Sequence, residues 1–421
     1  MEHSFCAQAC GIDFGTSNST VGWQNPNSGI LIPLEEDEFT LPSVVFFNYE
    51  EDVIRFGRQA IADYLDDSEG RLMRSLKSLL GSNLLDGQTE IQGKSLPFRH
   101  LLTVFIGELK RRADQHAGQN FEHAVLGRPV FFVDDNAAAD RLAQTTLEDI
   151  ALSIGFKDVS FQYEPIAAAL DYESRIHAEE RVLIADIGGG TSDFSLIRLS
   201  PERRHLSDRR EDILATGGVH IGGTDFDRQL SLAQAMPLLG YKTRLKNQAE
   251  MPSSYYFNLA TWHTINQVYT QKIWLQLKDV YRDVCERDKF ERLLNLVEQR
   301  AGHWLAIKVE EAKIALSDTP QVELHLERLA LEQALTIKRA DFDASIARMV
   351  TGVEATVAGV LRDAGVAADA VDTVFFTGGS SGVQSLRDRI GALLPAARRV
   401  EGDLFGSIGA GLALDAVRKF G

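Results

Sequence analysis

Two short loops in this chain combine aspartate, glycine and hydroxyl side chains in the same order, at residues 11–18 and 185–193. Glycine lets the backbone approach a ligand closely, and successive amide groups in such turns bind anions. The hydroxyl groups add further donors, and one aspartate in each loop can hold a hydrated divalent cation. Two such loops facing each other would bind a polyphosphate together with its metal ion. The residues concerned are Asp13, Gly15, Thr16, Ser17, Asn18, Asp186, Gly188, Gly189, Gly190, Thr191 and Asp193.

Other glycine-rich segments give weaker signals. Residues 377–381 follow a predicted strand and precede a helical stretch, where backbone amides can bind phosphate or ribose oxygens, although a simple tight turn is equally compatible. Residues 217–227 contain another glycine turn. The Gly87…Gly93-Lys94-Ser95 segment has five residues between its glycines, where a Walker A loop has four. No G-x-G-x-x-G motif follows a strand, so a dinucleotide-binding fold has no support.

Two charged residues have ordinary structural interpretations when residue type alone is considered. Glu164 precedes Pro165 at a strand-to-helix junction, where an acid complements the helix dipole. Lys77 lies on a predicted helix with Arg71 and Arg74, which is typical of a solvated basic face.

The elements that would position these residues alternate between strands and helices. Each loop lies between two apolar stretches and is predicted to form the turn of a hairpin. Residues 201–212 carry four arginines interspersed with acids and are predicted to form a solvated hairpin loop. Further strands are predicted at 41–47, 159–163, 181–185, 194–199 and 374–376, and at 123–133 with an interruption at Pro129. Helices are predicted at 59–81, 98–118, 136–154, 165–174 and 407–420, with a long and largely helical region at 226–317.

The loop and its flanking strands therefore occur twice, at an interval far longer than any solenoid repeat, which indicates two similar domains. We predict an α/β protein with two duplicated lobes, each with a mixed sheet flanked by helices and carrying an inserted subdomain. The first lobe is predicted at 1–178, with an insert at about 33–122, and is completed by the helix at 403–421. The second is predicted at 179–402, with an insert at about 228–335.

Bulk properties narrow the range of partners. The 421 residues carry a formal net charge of −16, which argues against non-specific binding to nucleic acid or to anionic membranes. Three cysteines, Cys6, Cys10 and Cys285, suit a reducing compartment better than a disulfide framework. No signal peptide is recognisable, and no apolar run approaches the ~20 residues of a membrane span. The cytoplasm is the expected location.

These motifs, in this order, resemble the actin-like ATPase superfamily, and most closely the nucleotide-binding domain of the 70-kDa heat-shock (DnaK-type) chaperones. Two phrases, at 161–165 and 403–407, resemble a short bacterial member of that family. The resemblance implies an actin-like fold with a nucleotide cleft between the lobes, slow ATP hydrolysis, and ATP or ADP bound with Mg²⁺. It also implies co-chaperones or client proteins as partners, and a role as a nucleotide-gated conformational switch. The matching segments are 11–18, 163–169, 186–193, 222–227, 310–317, 377–381 and 402–403.

The resemblance also implies roles for single residues. Asp13 and Asp186 match the family's acids that hold Mg²⁺ through water, and Lys77, Glu164, Thr191 and Asp193 match its catalytic groups. The two loops match the family's phosphate loops, and Pro129 matches its hinge proline. The remaining nucleotide contacts are Gly222, Gly223, Glu310, Lys313, Ser317, Gly378, Gly379, Ser380 and Asp403.

The chain departs from the family pattern at two positions and at its end. Ile314 and Gly382 stand where the family has the two arginines that enclose the adenine, which predicts weaker or less adenine-selective binding. The sequence ends directly after the predicted last helix of the ATPase, so the usual peptide-binding domain is not expected within it.

Two other functions fit the same motifs. A small-molecule kinase of the superfamily would show ATP turnover accelerated by sugars. A filament-forming or scaffold protein with little hydrolysis would show nucleotide-dependent sedimentation.

Overall fold

The computed structural model describes residues 8–24, 30–66, 68–82, 84–133, 136–206, 208–329, 334–402 and 406–421. The predictions for Cys6 and Asp403 lie outside these residues. Two compact units are present. The first comprises the described residues of Met1–Val219, Thr356–Ser381 and Ile390–Gly421, and the second those of His220–Ala355 and Gly382–Arg389. The predicted lobe boundaries stay a prediction.

Most of the described strands lie in the first unit. Within the described residues the strands, in chain order, are β1 Ala9–Asp13, β2 Asn18–Gly22, β3 Thr40–Pro42, β4 Val44–Asn48, β5 Val53–Phe56, β6 Gly70–Arg74, β7 Gln88–Ile91, β8 Lys94–Pro97, β9 His123–Arg128, β10 Asp158–Tyr163, β11 Glu180–Ile187, β12 Ser192–Leu199, β13 Ile213–Val219, β14 Gln321–Leu324, β15 Leu335–Lys338, β16 Thr373–Thr377 and β17 Arg398–Glu401.

Helices alternate with the strands along the chain. Within the same residues the α-helices are α1 Gly57–Leu65, α2 Phe98–Ala117, α3 Ala137–Ser153, α4 Glu164–Glu173, α5 Gly223–Leu230, α6 Ser254–Leu259, α7 Gln271–Tyr281, α8 Arg287–Glu298, α9 Gly302–Asp318, α10 Arg339–Ala364, α11 Gln384–Leu393 and α12 Ser407–Phe420. Short 3₁₀ turns include Leu76–Leu79 and Gly379–Gly382.

Two five-stranded sheets have the same topology, which confirms the predicted duplication. Their strand orders are β10-β9-β1-β2-β3 and β17-β16-β11-β12-β13. In both, the first strand of the central hairpin is antiparallel to the second and parallel to a later strand. Asp13 pairs with Thr20 in one hairpin, and Asp186 pairs with Asp193 in the other. The two loops therefore occupy equivalent positions in the two sheets.

The last helix, α12, packs against β1 and α4 through small residues. A Cβ added at Gly11 would collide with the backbone of Ala413, and one added at Gly411 would collide with the carbonyl oxygen of Ala167 on α4. The predicted small-residue face of this helix is therefore an interface at which backbones approach closely. It positions α4, whose first residue is Glu164.

The predicted helix at 59–81 is wrong over most of its length. Helix α1 ends at Leu65, and Gly70–Arg74 forms β6, which pairs antiparallel with β4. A 3₁₀ turn at Leu76–Leu79 then carries Lys77. The predicted strand at 123–133 ends at Arg128, directly before the interruption predicted at Pro129, which cannot donate a ladder hydrogen bond. Residues 130–133 do not resume the strand.

The predicted solvated loop at 201–212 is wrong as well, because part of it is a buried ionic cluster. Arg209 and Asp212 are 1% and 0% exposed. The Arg209 guanidinium donates to Glu173 on α4 at 2.7 Å and also to Asp212. Arg203 donates to Asp212 from the other side. Opposite charges satisfy one another here, which is the condition for burying them.

The second unit is largely helical, as predicted for 226–317, with the two-stranded sheet of β14 and β15. Its buried side chains include Phe226, Tyr256 and Phe290. Among the described helices, Arg339–Ala364 alone is long and apolar enough to cross a membrane, which for a single helix is weak support for a span.

Candidate functional site

The two aspartate–glycine–hydroxyl loops lie against each other in the first unit. A Cβ added at Gly189 would fall on the hydroxyl oxygen of Ser17, so the second loop contacts the first where only glycine fits. Gly15 is equally constrained, because a Cβ there would collide with the carbonyl oxygen of Asn18. The first loop, residues 15–18, and the second loop, residues 188–191, are therefore in direct contact at Ser17 and Gly189.

The first loop is held by a residue that the sequence analysis missed. The Ser43 hydroxyl donates to the Gly15 carbonyl at 2.7 Å, and the Ser43 amide donates to the Ser17 carbonyl at 2.8 Å. The buried Ser43 and Ser19 hydroxyls lie 3.0 Å apart. A serine directly after Pro42 at the end of a predicted strand was the available signal, but its partners lie 24 or more positions earlier in the sequence.

The third glycine element adjoins the second loop. β16 pairs parallel with β11 in a register that places Thr377 beside Asp186. Gly378 has φ of +82°, and a Cβ there would collide with an Asp186 carboxylate oxygen. Gly378 is therefore required both by its backbone conformation and by the carboxylate next to it. The residues that follow, Gly379 and Ser380, are exposed and buried, respectively.

Lys77 and Glu164 form an ion pair, which overturns the solvated interpretation of Lys77. Glu164 is also the first residue of α4, as its helix-dipole interpretation predicted. The Lys77 ammonium nitrogen lies 2.6 Å from Glu164 Oε1, and the side chains are only 14% and 12% exposed. Lys77 is therefore no part of a solvated face. Burial opposes its charge, but the carboxylates of Glu164 and Asp13 outweigh burial and raise the pKa of Lys77.

Negative charge accumulates around this pair. Burial, followed by the Glu164 carboxylate, raises the pKa of Asp13 to about 7 against the opposing effect of Lys77. Burial, followed by the carboxylates of Asp193, Glu164 and Asp13, raises the pKa of Asp186 to about 8. The single ammonium group of Lys77 does not balance the charge of these four carboxylates, those of Asp13, Glu164, Asp186 and Asp193.

This excess of carboxylates fits a divalent cation. Hard oxygen donors are the ligands that Mg²⁺ prefers, and the ion usually retains several of its waters. In the described part of the chain, no group of three or more His, Cys, Asp or Glu side chains is arranged for direct coordination. Asp13 and Asp186 are the two loop carboxylates that could hold such an ion through its water shell.

Asp193 lies at the open side of the second loop. Its side chain is exposed, and its Oδ2 accepts a hydrogen bond from the Thr191 hydroxyl at 2.8 Å. A Cβ at Gly218 on the neighbouring strand would come within 2.7 Å of Asp193 Oδ1, so glycine leaves room for this carboxylate. An exposed and oriented carboxylate of this kind can accept a proton from water.

A second missed feature is a buried clamp on the segment that carries Pro129. The Arg128 guanidinium donates to Asp140 on α3 at 3.0 Å, and Asp140 accepts the Phe132 amide at 2.7 Å. The same guanidinium lies 5.4 Å from the centre of the Tyr163 ring, directly before Glu164. Its partners are far apart in the sequence, so the spacing of charges gave no sign of it.

The predicted nucleotide contacts of the second unit share one face of α9. Glu310, Lys313 and Ser317 follow the three-to-four residue spacing of a helix face. The buried Lys313 ammonium lies 2.9 Å from Asp227 and 3.3 Å from the Gly223 carbonyl oxygen. The structure therefore brings Lys313 to the N-terminus of α5, which begins at Gly223 after its N-cap, Gly222.

The two departures from the family pattern lie on the same part of this unit. Ile314 is 57% exposed and is the most exposed isoleucine among the described residues. A Cβ at Gly382 would lie 3.3 Å from the Ser317 hydroxyl. Gly382 is therefore a neighbour of the predicted nucleotide contact Ser317, and no side chain extends from it.

Relatives of this chain are molecular chaperones. The sequence is 32% identical over 223 residues to "Chaperone protein DnaK" of Thermosipho africanus (strain TCF52B), a match covering 52% of this chain and 34% of the relative. It is 27% identical over 432 residues to "Chaperone protein HscA homolog" of Shewanella sp. (strain ANA-3), covering 97% of this chain and 58% of the relative. The chain thus spans between a third and three fifths of the length of these curated relatives.

The family profile described as "Hsp70 protein" matches residues 86–236 and 284–414, which together make up more than half of the chain. The matched ranges include the second loop, Glu164 and the third glycine element. With the duplicated sheets and the paired loops described above, this match agrees with an actin-like ATPase fold. The chain belongs to the Hsp70 family.

Proposed function

We propose that this chain binds Mg²⁺–ATP and hydrolyses it slowly, as the nucleotide-gated switch of a chaperone-like protein. The observation that carries the proposal is the direct apposition of two acid-bearing glycine loops, with Gly189 against Ser17. The Lys77–Glu164 ion pair adds the positive charge of Lys77. Its partner Glu164 belongs to the same cluster of carboxylates as Asp13 and Asp186.

The residues divide the chemistry between them. The amide and hydroxyl groups of the two loops bind and orient the β- and γ-phosphates. Mg²⁺, held by Asp13 and Asp186 through water, would neutralise phosphate charge when bound. Lys77 supplies a fixed positive charge for the oxygens of the γ-phosphate, and Glu164 orients the ammonium group.

Hydrolysis then requires one proton transfer. Water attacks the γ-phosphorus, a new phosphorus–oxygen bond forms, and the bond to the β–γ bridging oxygen breaks. Asp193, oriented by the Thr191 hydroxyl, accepts the proton that the water loses. ADP and phosphate are the products.

We also propose that the base is bound less selectively than in relatives with the usual pattern. Glu310, Lys313 and Ser317 would contact the ribose and base, together with Gly222, Gly223, Gly378, Gly379, Ser380 and Asp403. Ile314 and Gly382 cannot stack a guanidinium on adenine, a contact worth about 1–2 kcal/mol in total. Titration with ATP and GTP tests this point, and strong rejection of GTP would contradict it.

Partners and location follow from the family alone. Co-chaperones or client proteins would respond to the nucleotide state, and the cytoplasm is the proposed compartment. Nucleic acid and anionic membranes are not among the proposed partners, because the net charge of −16 would repel both.

Calorimetric titration of ATP tests the proposal directly. The wild type should bind ATP more tightly with Mg²⁺ than with a chelator. Gly189→Ala should weaken binding, because the new Cβ forces Ser17 and the second loop apart. Gly107→Ala on α2, where a Cβ meets only Ile154 at 3.6 Å, is the matched control and should bind normally. Equal affinities for ATP in all these conditions would refute the proposal.

A further inference from the structure

A buried polar network at the last helix has no part in the proposed hydrolysis. Asp415 on α12 is 0% exposed, and Gln162 on β10 is 3% exposed. The helix is otherwise apolar on this side, where Leu412 and Ala416 belong to a cluster with Ala167 of α4. Burying a carboxylate in such surroundings costs free energy unless it is paired and hydrogen-bonded. An apolar side chain would serve packing alone, so the buried carboxylate points to a more specific role.

The network attaches α12 to the end of strand β10. Asp415 Oδ2 accepts a hydrogen bond from the Gln162 side-chain amide at 3.0 Å and lies 2.8 Å from the Lys419 ammonium nitrogen. Gln162 Oε1 accepts a hydrogen bond from the Tyr163 backbone amide at 3.0 Å. The Lys419 ammonium group also donates to the Phe161 carbonyl at 2.7 Å. Two side chains of α12 therefore hold three consecutive residues of β10, directly or through Gln162.

These contacts lie immediately before Glu164. β10 ends at Tyr163 and α4 begins at Glu164, so the held peptide adjoins the residue that carries the carboxylate. β10 is an edge strand of its sheet and pairs with β9 on one side. Side chains of α12 thus supplement the ladder at the end of this strand. Glu164 Oε1 lies 2.6 Å from the Lys77 ammonium nitrogen, a distance that a small rotation of the preceding peptide would change.

We propose that Asp415 and Gln162 are positioning residues, which hold the Tyr163 peptide and thereby fix the orientation of Glu164 toward Lys77. The effect of the network on ATP hydrolysis rests on the proposed function. Its effect on the Lys77–Glu164 ion pair requires no nucleotide.

The coupling free energy between Lys77→Met and Glu164→Gln, measured by urea denaturation of the ligand-free chain, tests this inference. We expect Gln162→Met to lower the coupling to half or less of its wild-type value, because the apolar side chain can bond neither to the Tyr163 amide nor to Asp415. A general loss of stability would shift all four proteins of the cycle alike and leave the coupling unchanged. An unchanged coupling in Gln162→Met would overturn the inference.

Asn48 on β4 supplies a matched control, because it is also a buried amide, 3% exposed, with the same kinds of contact. Its side-chain nitrogen donates to Asp63 at 3.2 Å, and its oxygen accepts a hydrogen bond from the Glu50 amide at 3.0 Å. Asn48→Leu should leave the coupling between Lys77 and Glu164 unchanged. An equal fall in Asn48→Leu and in Gln162→Met would show a general effect and would also overturn the inference.

Two substitutions at Asp415 test the other end of the network independently of Gln162→Met. Asp415→Asn retains an oxygen that can accept the Gln162 hydrogen bond and should keep most of the coupling. Asp415→Ala removes the acceptor but favours the helix, so it should fold and should lower the coupling. The same coupling in Asp415→Ala as in the wild type would contradict the role assigned to Asp415.

Steady-state ATP hydrolysis separates this inference from the proposed function. In Gln162→Met, kcat should fall about tenfold and KM for ATP should change less than about twofold, because the phosphate loops are untouched. An unchanged kcat would contradict the positioning role. If the wild type does not hydrolyse ATP but the coupling depends on Gln162, the proposed function fails and this inference stands. If the wild type hydrolyses ATP and the coupling is independent of Gln162, this inference fails and the proposed function stands.

Discussion

At the scale of single residues, the Lys77–Glu164 ion pair decides how the site is charged. Both side chains are largely buried, at 14% and 12% exposed. Removing one partner of a buried pair leaves the other charge uncompensated, which costs more than the pair contributes. We therefore expect this pair to affect the stability of the protein as well as the proposed chemistry.

A double-mutant cycle measures this dependence. Lys77→Met and Glu164→Gln should each lower the free energy of unfolding, and the double variant should lose less than the sum, with a coupling of about 1–3 kcal/mol. Urea denaturation supplies the four values. The exposed pair Lys308–Glu311, at 2.9 Å, is the control and should couple by only about 0.3–0.5 kcal/mol. A coupling no larger at Lys77–Glu164 than at this control would contradict the burial argument.

Asp186 should make the ligand-free protein less stable as the pH rises. Burial, followed by the neighbouring carboxylates, raises its pKa from the ordinary 3.8 to about 8, so between these values the folded state binds the proton more tightly than the unfolded state. The stability linked to this proton is complete below about pH 4 and is lost as the pH rises through about 8. Asp186→Asn removes the titration.

Urea denaturation of wild type and Asp186→Asn tests this prediction. The variant should be the more stable protein at about pH 9, and the difference should shrink at about pH 5, where the wild-type carboxyl is protonated. Adding Mg²⁺ at the higher pH should stabilise the wild type more than the variant. A difference of the same size and sign at both pH values would show that the carboxyl does not titrate in this range.

At the scale of elements, α12 is held against α4 by contacts that only glycine allows. Gly411→Ala should lower the free energy of unfolding by about 1–3 kcal/mol, because its Cβ would collide with the Ala167 carbonyl. Gly107→Ala on α2 makes the same change in a helix with room for the Cβ. It should stabilise the protein by up to about 1 kcal/mol through helix propensity. Thermal denaturation giving the same sign for both variants would refute this packing account.

Some elements could be predicted closely because their ends carry local signals. Helix α2 ends at a glycine C-cap, Gly118, with φ of 65°, and begins after Pro97. The predicted range of 98–118 therefore differs from the observed helix by one residue. The predicted 407–420 coincides with α12.

Other elements depend on partners that are distant in the sequence. Residues 70–74 read as part of a helix, but they form β6 because β4, more than 20 positions earlier, supplies an edge to pair with. The acid–arginine pattern at 201–212 looks the same whether solvated or buried, and the decisive partner Glu173 lies on α4.

The candidate site likewise combines residues that local signals identify with residues whose partners are distant in the sequence. The loops, their acids and the third glycine element could be found from residue type and spacing. The contact of Lys77 with Glu164 spans 87 positions, and residue type alone favoured a solvated lysine. Ser43 and the Arg128–Asp140 clamp were missed for the same reason, since their partners lie on other elements of the fold.

At the scale of the whole molecule, duplication accounts for the proposed chemistry. Two sheets of identical strand order place an acid–glycine turn at equivalent positions, and the turns meet at Gly189 and Ser17. One turn alone would be an ordinary hairpin. The pair supplies two carboxylates and two sets of anion-binding amides, as a metal-bound triphosphate requires.

The central claim is that this arrangement hydrolyses Mg²⁺–ATP, and steady-state phosphate release from ATP tests it most directly. We predict measurable turnover by the wild type with Mg²⁺, and losses of about 100-fold or more in Asp186→Asn and Lys77→Ala. Lys110→Met is the control and removes another buried lysine, which pairs with Asp114 at 2.6 Å. The folded fraction of this variant should retain turnover. Equal rates for the wild type, Asp186→Asn and Lys77→Ala would contradict the account.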